Sequence, residues 1–219
     1  MEPNTEADQL RGEVVKGARE IFQKGLVAVG EGNVSVRIPS RDELLITPTF
    51  NHYGKMTEQD VVHLKFDGAQ LSKGKRASTE YRLHIAVYQA RPRAGCVIHT
   101  HSPYASILSI VRKPIPVLME EMVLLLGGGV DVSTFRSAHT DDIGDAAVQA
   151  LGLTNAVLLA NHGAMVCGRT VDHATKMAET VEKMAMLHWG AHLVGTPNVL
   201  KEESYRNLLA DFEANFSTT

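Results

Sequence analysis

Apolar residues recur at Leu10, Val14, Ala18, Ile21 and Phe22, and the pattern stops at Gly25. This three-to-four spacing predicts an amphipathic helix of about five turns that packs one face on the rest of the chain. Beyond it the period shortens, and "NVSVRIP", "LLIT" and "VVHLKF" read as strands punctuated at Pro39, Pro48 and Asp67-Gly68. They predict a β meander with one polar face. Helical spacing returns at Leu83, Ala86, Val87 and Ala90 behind the good N-cap residues Ser78 and Thr79, so a helix is expected from Glu80 to Ala90. "GCVIH" follows as a strand, and Ser102-Pro103 starts a helix with a cap and an N1 proline. "AVLLANHGAMVCG" reads as two short strands broken at Asn161-His162-Gly163. The stripe Val171, Ala174, Met177, Ala178, Val181, Met184 and Ala185 predicts a long helix from Val171 to about Gly190.

Helices alternating with strands place the chain in the α/β class, with helices covering a sheet. At 219 residues and 44% apolar content the chain can bury one good core, and a single domain is expected. Charge is nearly balanced, 22 Lys and Arg against 25 Asp and Glu, and no basic cluster marks a nucleic-acid or anionic-membrane footprint. Cys96 and Cys167 each lie in an apolar run, as buried small hydrophobes in a reducing compartment do. The N-terminus is acidic and amphipathic without a signal-peptide core, and no window approaches 18 consecutive apolar residues, so the expected location is cytoplasmic. "GGG" at 127 to 129 lacks the Lys-Ser/Thr of a phosphate loop and the spacing of a dinucleotide fingerprint.

Chemistry concentrates in "GCVIHTHSPYA", 95 to 105. Residues two apart on a strand share a face, roughly 7 Å apart, so His99 and His101 can turn toward one metal ion; the bland alternative is a pair of polar residues at a strand end. Two features favour the metal. His162 is delivered by an apolar strand into a Gly turn, and Glu80 stands where a helix begins. Three imidazoles and a carboxylate make a ligand set suited to Zn2+, with Mn2+ or Co2+ as alternatives. His84, four residues after Glu80, and His52, His63, His139, His173, His188 and His192 read as surface or packing residues.

"GNVSVR", "LLITPT", "ASTEYRLH", "VIHTHSPYA" and "LLANHG", in that order, resemble the class II aldolase/adducin family over roughly residues 8 to 195, leaving 196–219 as a C-terminal tail. The resemblance implies a three-layer αβα domain with a central sheet, usually in a homotetramer whose active sites lie between subunits. It implies one divalent metal per subunit on Glu80, His99, His101 and His162, with Glu80 also an acid/base. It puts the phosphate of an anionic small-molecule substrate on Gly32 and Asn33, on Thr49 and Phe50, and on Ser78 and Thr79.

Two departures stand out. Phe50 occupies the place where sugar-phosphate aldolases of this type carry glycine, which crowds an anion site, and Glu31 adds a negative charge beside Gly32. The tyrosine proton donor of the family's fuculose-phosphate aldolases has no counterpart in "IPVLMEEMVLLLGGG". Glu121 there resembles the acid/base of the family's dehydratase branch; read without the family, Glu120 and Glu121 are solvated charges on a surface turn. The leading expectation is a metal-dependent lyase that cleaves a small ketose phosphate through a metal-stabilised enediolate. A decarboxylase of a β-keto or hydroxylated aromatic acid uses the same electron sink and is the alternative. A dehydratase, an epimerase or a non-catalytic adducin-like module ranks lower.

Overall fold

The computed structural model describes residues 5–138, 140 and 142–219. His139, one of the weaker histidine candidates, lies outside the described residues. Helix α1 spans Thr5–Gln23 and leads into β1 (Asn33–Arg37) and β2 (Glu43–Ile46). After two short 3-10 turns come β3 (Val62–Lys65), α2 (Tyr81–Ala90), β4 (Cys96–Thr100) and α3 (Pro103–Ile110). The second half carries α4 (Glu120–Leu126), β5 (Asp131–Val132), α5 (Asp142–Leu151), β6 (Ala156–Leu159), β7 (Gly163–Gly168), α6 (Val171–Val194) and α7 (Glu202–Asn215).

The strands form one seven-stranded sheet in the order β3-β2-β1-β4-β7-β6-β5, antiparallel except for β5 against β6. Alternation along each strand divides the core in two. Val34, Val36, Cys96, Ile98 and Val166 pack with α1 and α6 through Val14, Ala18, Ile21, Met177 and Val181. On the opposite face Leu44, Ile46, Val97, Met165 and Cys167 pack with α2 and α5 through Leu83, Val87, Ile143 and Leu151. This is the expected three-layer αβα arrangement.

The polar face expected for the meander is confined to its β2–β3 edge, at Glu43, His63 and Lys65. Helices cover the sheet on both sides, so the polar positions Asn33 and Ser35 of β1 are buried under α2 instead of facing water. The expected tail is also partly helical. Helix α7 packs on α4 with Phe212 buried against Gly127, and Thr218 donates to Asn155 Oδ1 at 2.8 Å. Helix α2 begins one residue later than expected: Glu80 is its N-cap, and its side chain caps nothing. Among the described residues no helix is long and apolar enough to cross a membrane.

Candidate metal centre and active site

The site forms where β4 ends in the middle of the sheet. Two glycines let the neighbouring chain segments approach that end. A side chain at Gly32 would place its Cβ 2.6 Å from the His99 carbonyl oxygen and 2.5 Å from Val27, and its φ of +61° is one that glycine adopts freely. A Cβ at Gly163 would lie 2.2 Å from the Thr100 oxygen. Gly163 therefore brings the β6–β7 turn, and with it His162, down onto the strand that carries His99 and His101.

The three imidazoles converge, with candidate ligand atoms all within 4.8 Å of one another. Ring centroids are 4.6 to 4.9 Å apart, and His99 Nε2 faces His101 Nε2 at 2.9 Å. His99 is fully buried, and its Nδ1–H donates to the Ala164 carbonyl at 2.9 Å. That bond places the ring proton on Nδ1 and leaves the Nε2 lone pair aimed at the cluster. Burial pushes His99 down to about 4, with His162 and His101 adding to the effect against Glu80. His101 is lowered as well, first by burial and then by His162. Both rings are neutral near pH 7, as metal ligation requires.

Glu80 closes the cluster on the α2 side. Its Oε1 lies 3.0 Å from His162 Nε2 and its Oε2 3.6 Å from His99 Nε2. Burial works against its charge, yet His99, His162 and a 2.7 Å hydrogen bond from Asn33 Nδ2 more than offset that, and the carboxyl is held well below the usual range. Oε1 is buried without a hydrogen-bond partner. A buried anionic oxygen without a donor, beside converging imidazole lone pairs, is costly as it stands and fits a divalent cation.

The other expected site residues are distributed unevenly. Asn33 is buried with its amide committed on both sides, to Glu80 and to His84. Ser78 is buried and its Oγ accepts from the Glu80 N–H at 3.3 Å, whereas Thr79 is exposed. The loop bearing Thr49 and Phe50 is tied to both neighbours: Thr49 N–H donates to Arg76 O, and Tyr53 O–H donates to Gly32 O at 2.6 Å. Phe50 is left-handed, φ +52°, and 88% exposed. Glu121 lies in the first turn of α4, where Lys183 of α6 holds it at 2.7 Å. It is therefore on a helix and not on a surface turn. A cleft of about 540 Å³ lined by Arg37, Arg41 and Arg93 contains none of these groups.

His84, expected as a surface or packing residue, is instead the buried hydrogen-bond partner of Asn33. Its signal was present as the four-residue step from Glu80 along one helix face. Of the other histidines, His63 pairs with Glu43 at 2.9 Å, and His52 packs on Phe22.

Residues 12–189 match the sequence family described as Class II Aldolase and Adducin N-terminal domain. The chain belongs to the class II aldolase and adducin family. Within it the 5-methylthioribulose-1-phosphate/5-deoxyribulose-1-phosphate aldolase of Rhodospirillum rubrum is 29% identical over 93% of this chain and 91% of its own. The 3-oxo-tetronate 4-phosphate decarboxylase of Escherichia coli O6:H1 is 30% identical over 81% and 85%. A solved structure of L-fuculose 1-phosphate aldolase superposes with a TM-score of 0.89 at 27% identity, covering 94% of this chain and 96% of that one. This class II family member is an aldolase-type carbon–carbon lyase.

Proposed function

We propose that the enzyme cleaves a small ketose phosphate to a ketone phosphate and an aldehyde, using one divalent ion, Zn2+, held by His99, His101, His162 and Glu80. The observation that carries this reading is the donorless Glu80 Oε1, 3.0 Å from His162 Nε2 in the imidazole cluster. The bound ion supplies Lewis-acid polarisation of the substrate carbonyl and neighbouring hydroxyl. The chain supplies the proton traffic. Glu121, working across a subunit boundary in a homotetramer, removes the hydroxyl proton, the C–C bond breaks to leave the aldehyde, and Glu80, protonated from solvent as substrate enters, delivers that proton to the carbon beside the carbonyl, after which Glu121 gives its proton to solvent. Gly32, Thr49, Ser78 and Thr79 hold the phosphate, while Asn33 orients Glu80. A cytoplasmic location goes with a phosphorylated substrate.

The left-handed, exposed Phe50 supports a second reading, decarboxylation, in which the ring lies against the carbon skeleton of a carboxylic acid. The decarboxylase relative is named for a phosphorylated substrate, so phosphate dependence does not separate the two readings. The deciding assay supplies L-fuculose 1-phosphate, 5-deoxyribulose 1-phosphate and 3-oxo-tetronate 4-phosphate in parallel, and scores aldehyde release against CO2, since dihydroxyacetone phosphate is a product of all three. One metal per chain with dihydroxyacetone phosphate formed from a 1-phosphate supports cleavage. CO2 from the oxo acid alone favours the second reading, and stoichiometric metal in His162→Ala defeats the ligand set.

A further inference from the structure

Beneath the metal centre, between α2 and β1, a row of buried polar side chains runs down from Glu80, and its lower members His84, Ser35 and Tyr88 are not used by ligand or substrate binding. Glu80, His84 and Tyr88 are spaced four apart on α2, and Asn33 and Ser35 two apart on β1. Four residues of helix rise about 6 Å and two residues of strand about 6.6 Å, so the two rows stay in register. Asn33 Nδ2 donates to Glu80 Oε2 at 2.7 Å, and Asn33 Oδ1 is hydrogen-bonded to His84 Nε2. His84 Nδ1 pairs with Ser35 Oγ at 2.7 Å, and Ser35 Oγ with Tyr88 O–H at 2.8 Å. His84, Ser35 and Tyr88 are each fully buried.

The donor order in this row has one consistent solution. Glu80 is an anion and accepts only, so Asn33 must turn its NH2 toward it and its oxygen toward His84. A neutral His84 therefore carries its proton on Nε2, its Nδ1 accepts from the Ser35 hydroxyl, and Ser35 accepts from Tyr88. Flipping the Asn33 amide would set oxygen against carboxylate at one end and donor against donor at the other. The row ends by fixing Oε2 of Glu80 and leaving Oε1 to the imidazole cluster, 3.0 Å from His162 Nε2.

We infer that His84 is the positioning residue of this centre: through Asn33 it selects which Glu80 oxygen is held and which is offered to the ion and the substrate. The inference rests on the reading of Glu80 as ligand and proton carrier. Removing such a supporting partner lowers activity or metal affinity by roughly 10- to 100-fold.

Two kinds of measurement test it. Long-range 1H–15N correlation on the full, metal-free chain reads the His84 tautomer without substrate; Nε2–H is expected, and Nδ1–H overturns the inference. His84→Gln keeps a donor for Asn33, whereas His84→Asn is too short to provide one. The Gln variant is expected to keep kcat within about threefold, and the Asn variant to lose roughly tenfold or more at near-constant KM. The visible spectrum of the Co2+-loaded chain should change in the Asn variant only. Equal losses in both variants, or an unchanged Co2+ spectrum in the Asn variant, reduce His84 to packing. Should none of the candidate phosphates be cleaved, the tautomer and the Co2+ spectrum still decide the positioning role, so the two readings fail separately.

Discussion

Gly163→Ala tests how the site is built, because a single methyl group at that position meets the Thr100 backbone first, with the edge of the His101 ring 3.2 Å away. Its Cβ would stand 2.2 Å from the Thr100 oxygen, whereas ordinary contact begins near 3.4 Å, so β7 and β4 must separate locally by about 1.2 Å. Gly163 follows His162 directly, and His101 follows Thr100, so the displacement pulls two ligands apart. Metal–ligand distances tolerate about 0.2 Å. Metal affinity is therefore expected to fall by at least tenfold, and overpacking to cost about 1–3 kcal/mol of stability. The assay is competition for Zn2+ against a chromophoric chelator, with denaturant unfolding of the metal-free chain alongside. Gly190→Ala is the control: it lies in α6, nothing lies within 4 Å of its would-be Cβ, and it should leave metal binding alone while stabilising by about 0.5–1 kcal/mol. Wild-type metal affinity in Gly163→Ala would refute the claim that the close approach of β7 to β4 sets the ligand geometry.

Glu80→Gln is expected to keep the fold and much of the metal while kcat drops by about 100-fold or more, since the amide fills the space but accepts no proton; near-normal turnover would move the acid/base role to Glu121. The metal-free chain should lose stability on acidification. Burial holds His84 at about 3 and His99 at about 4, below the ordinary imidazole value near 6.5, so the unfolded chain takes up protons first. The contribution is whole above about pH 6.5 and falls by about 3 kcal/mol from His99 alone as pH drops to 4, and a flat urea midpoint between pH 7 and pH 5 would contradict it. Phe50→Gly should stabilise the fold by about 1 kcal/mol by removing a left-handed aromatic, and should lower turnover if the ring touches substrate; stability gained with turnover intact would remove Phe50 from the site.

Much of this molecule was legible in the order of its residues. The helical stripe of Val171 to Ala185, the two short strands around Asn161 and the shared face of His99 and His101 follow from local periodicity, which short-range sterics impose. The ligand candidates were legible because a histidine at an abrupt strand end has few packing roles. Helix α5 is absent from the expected elements although Ile143, Ala147 and Leu151 carry its period, and the apolar run of α4 carries no period that separates helix from strand.

Partnership was decided only in three dimensions. No local pattern told whether the polar side of β1 faced water or a helix, because that depends on α2, some fifty residues later, crossing over it. Once α2 covers Asn33 and Ser35, their polar groups need partners, and His84 and Tyr88 supply them. Likewise the sequence marks Gly163 only as a turn, and its close contact with Thr100 exists only after β7 pairs with β4. Residue types and periods settled which groups were available for chemistry, and long-range packing, which sets distance and dielectric, settled which of them act together.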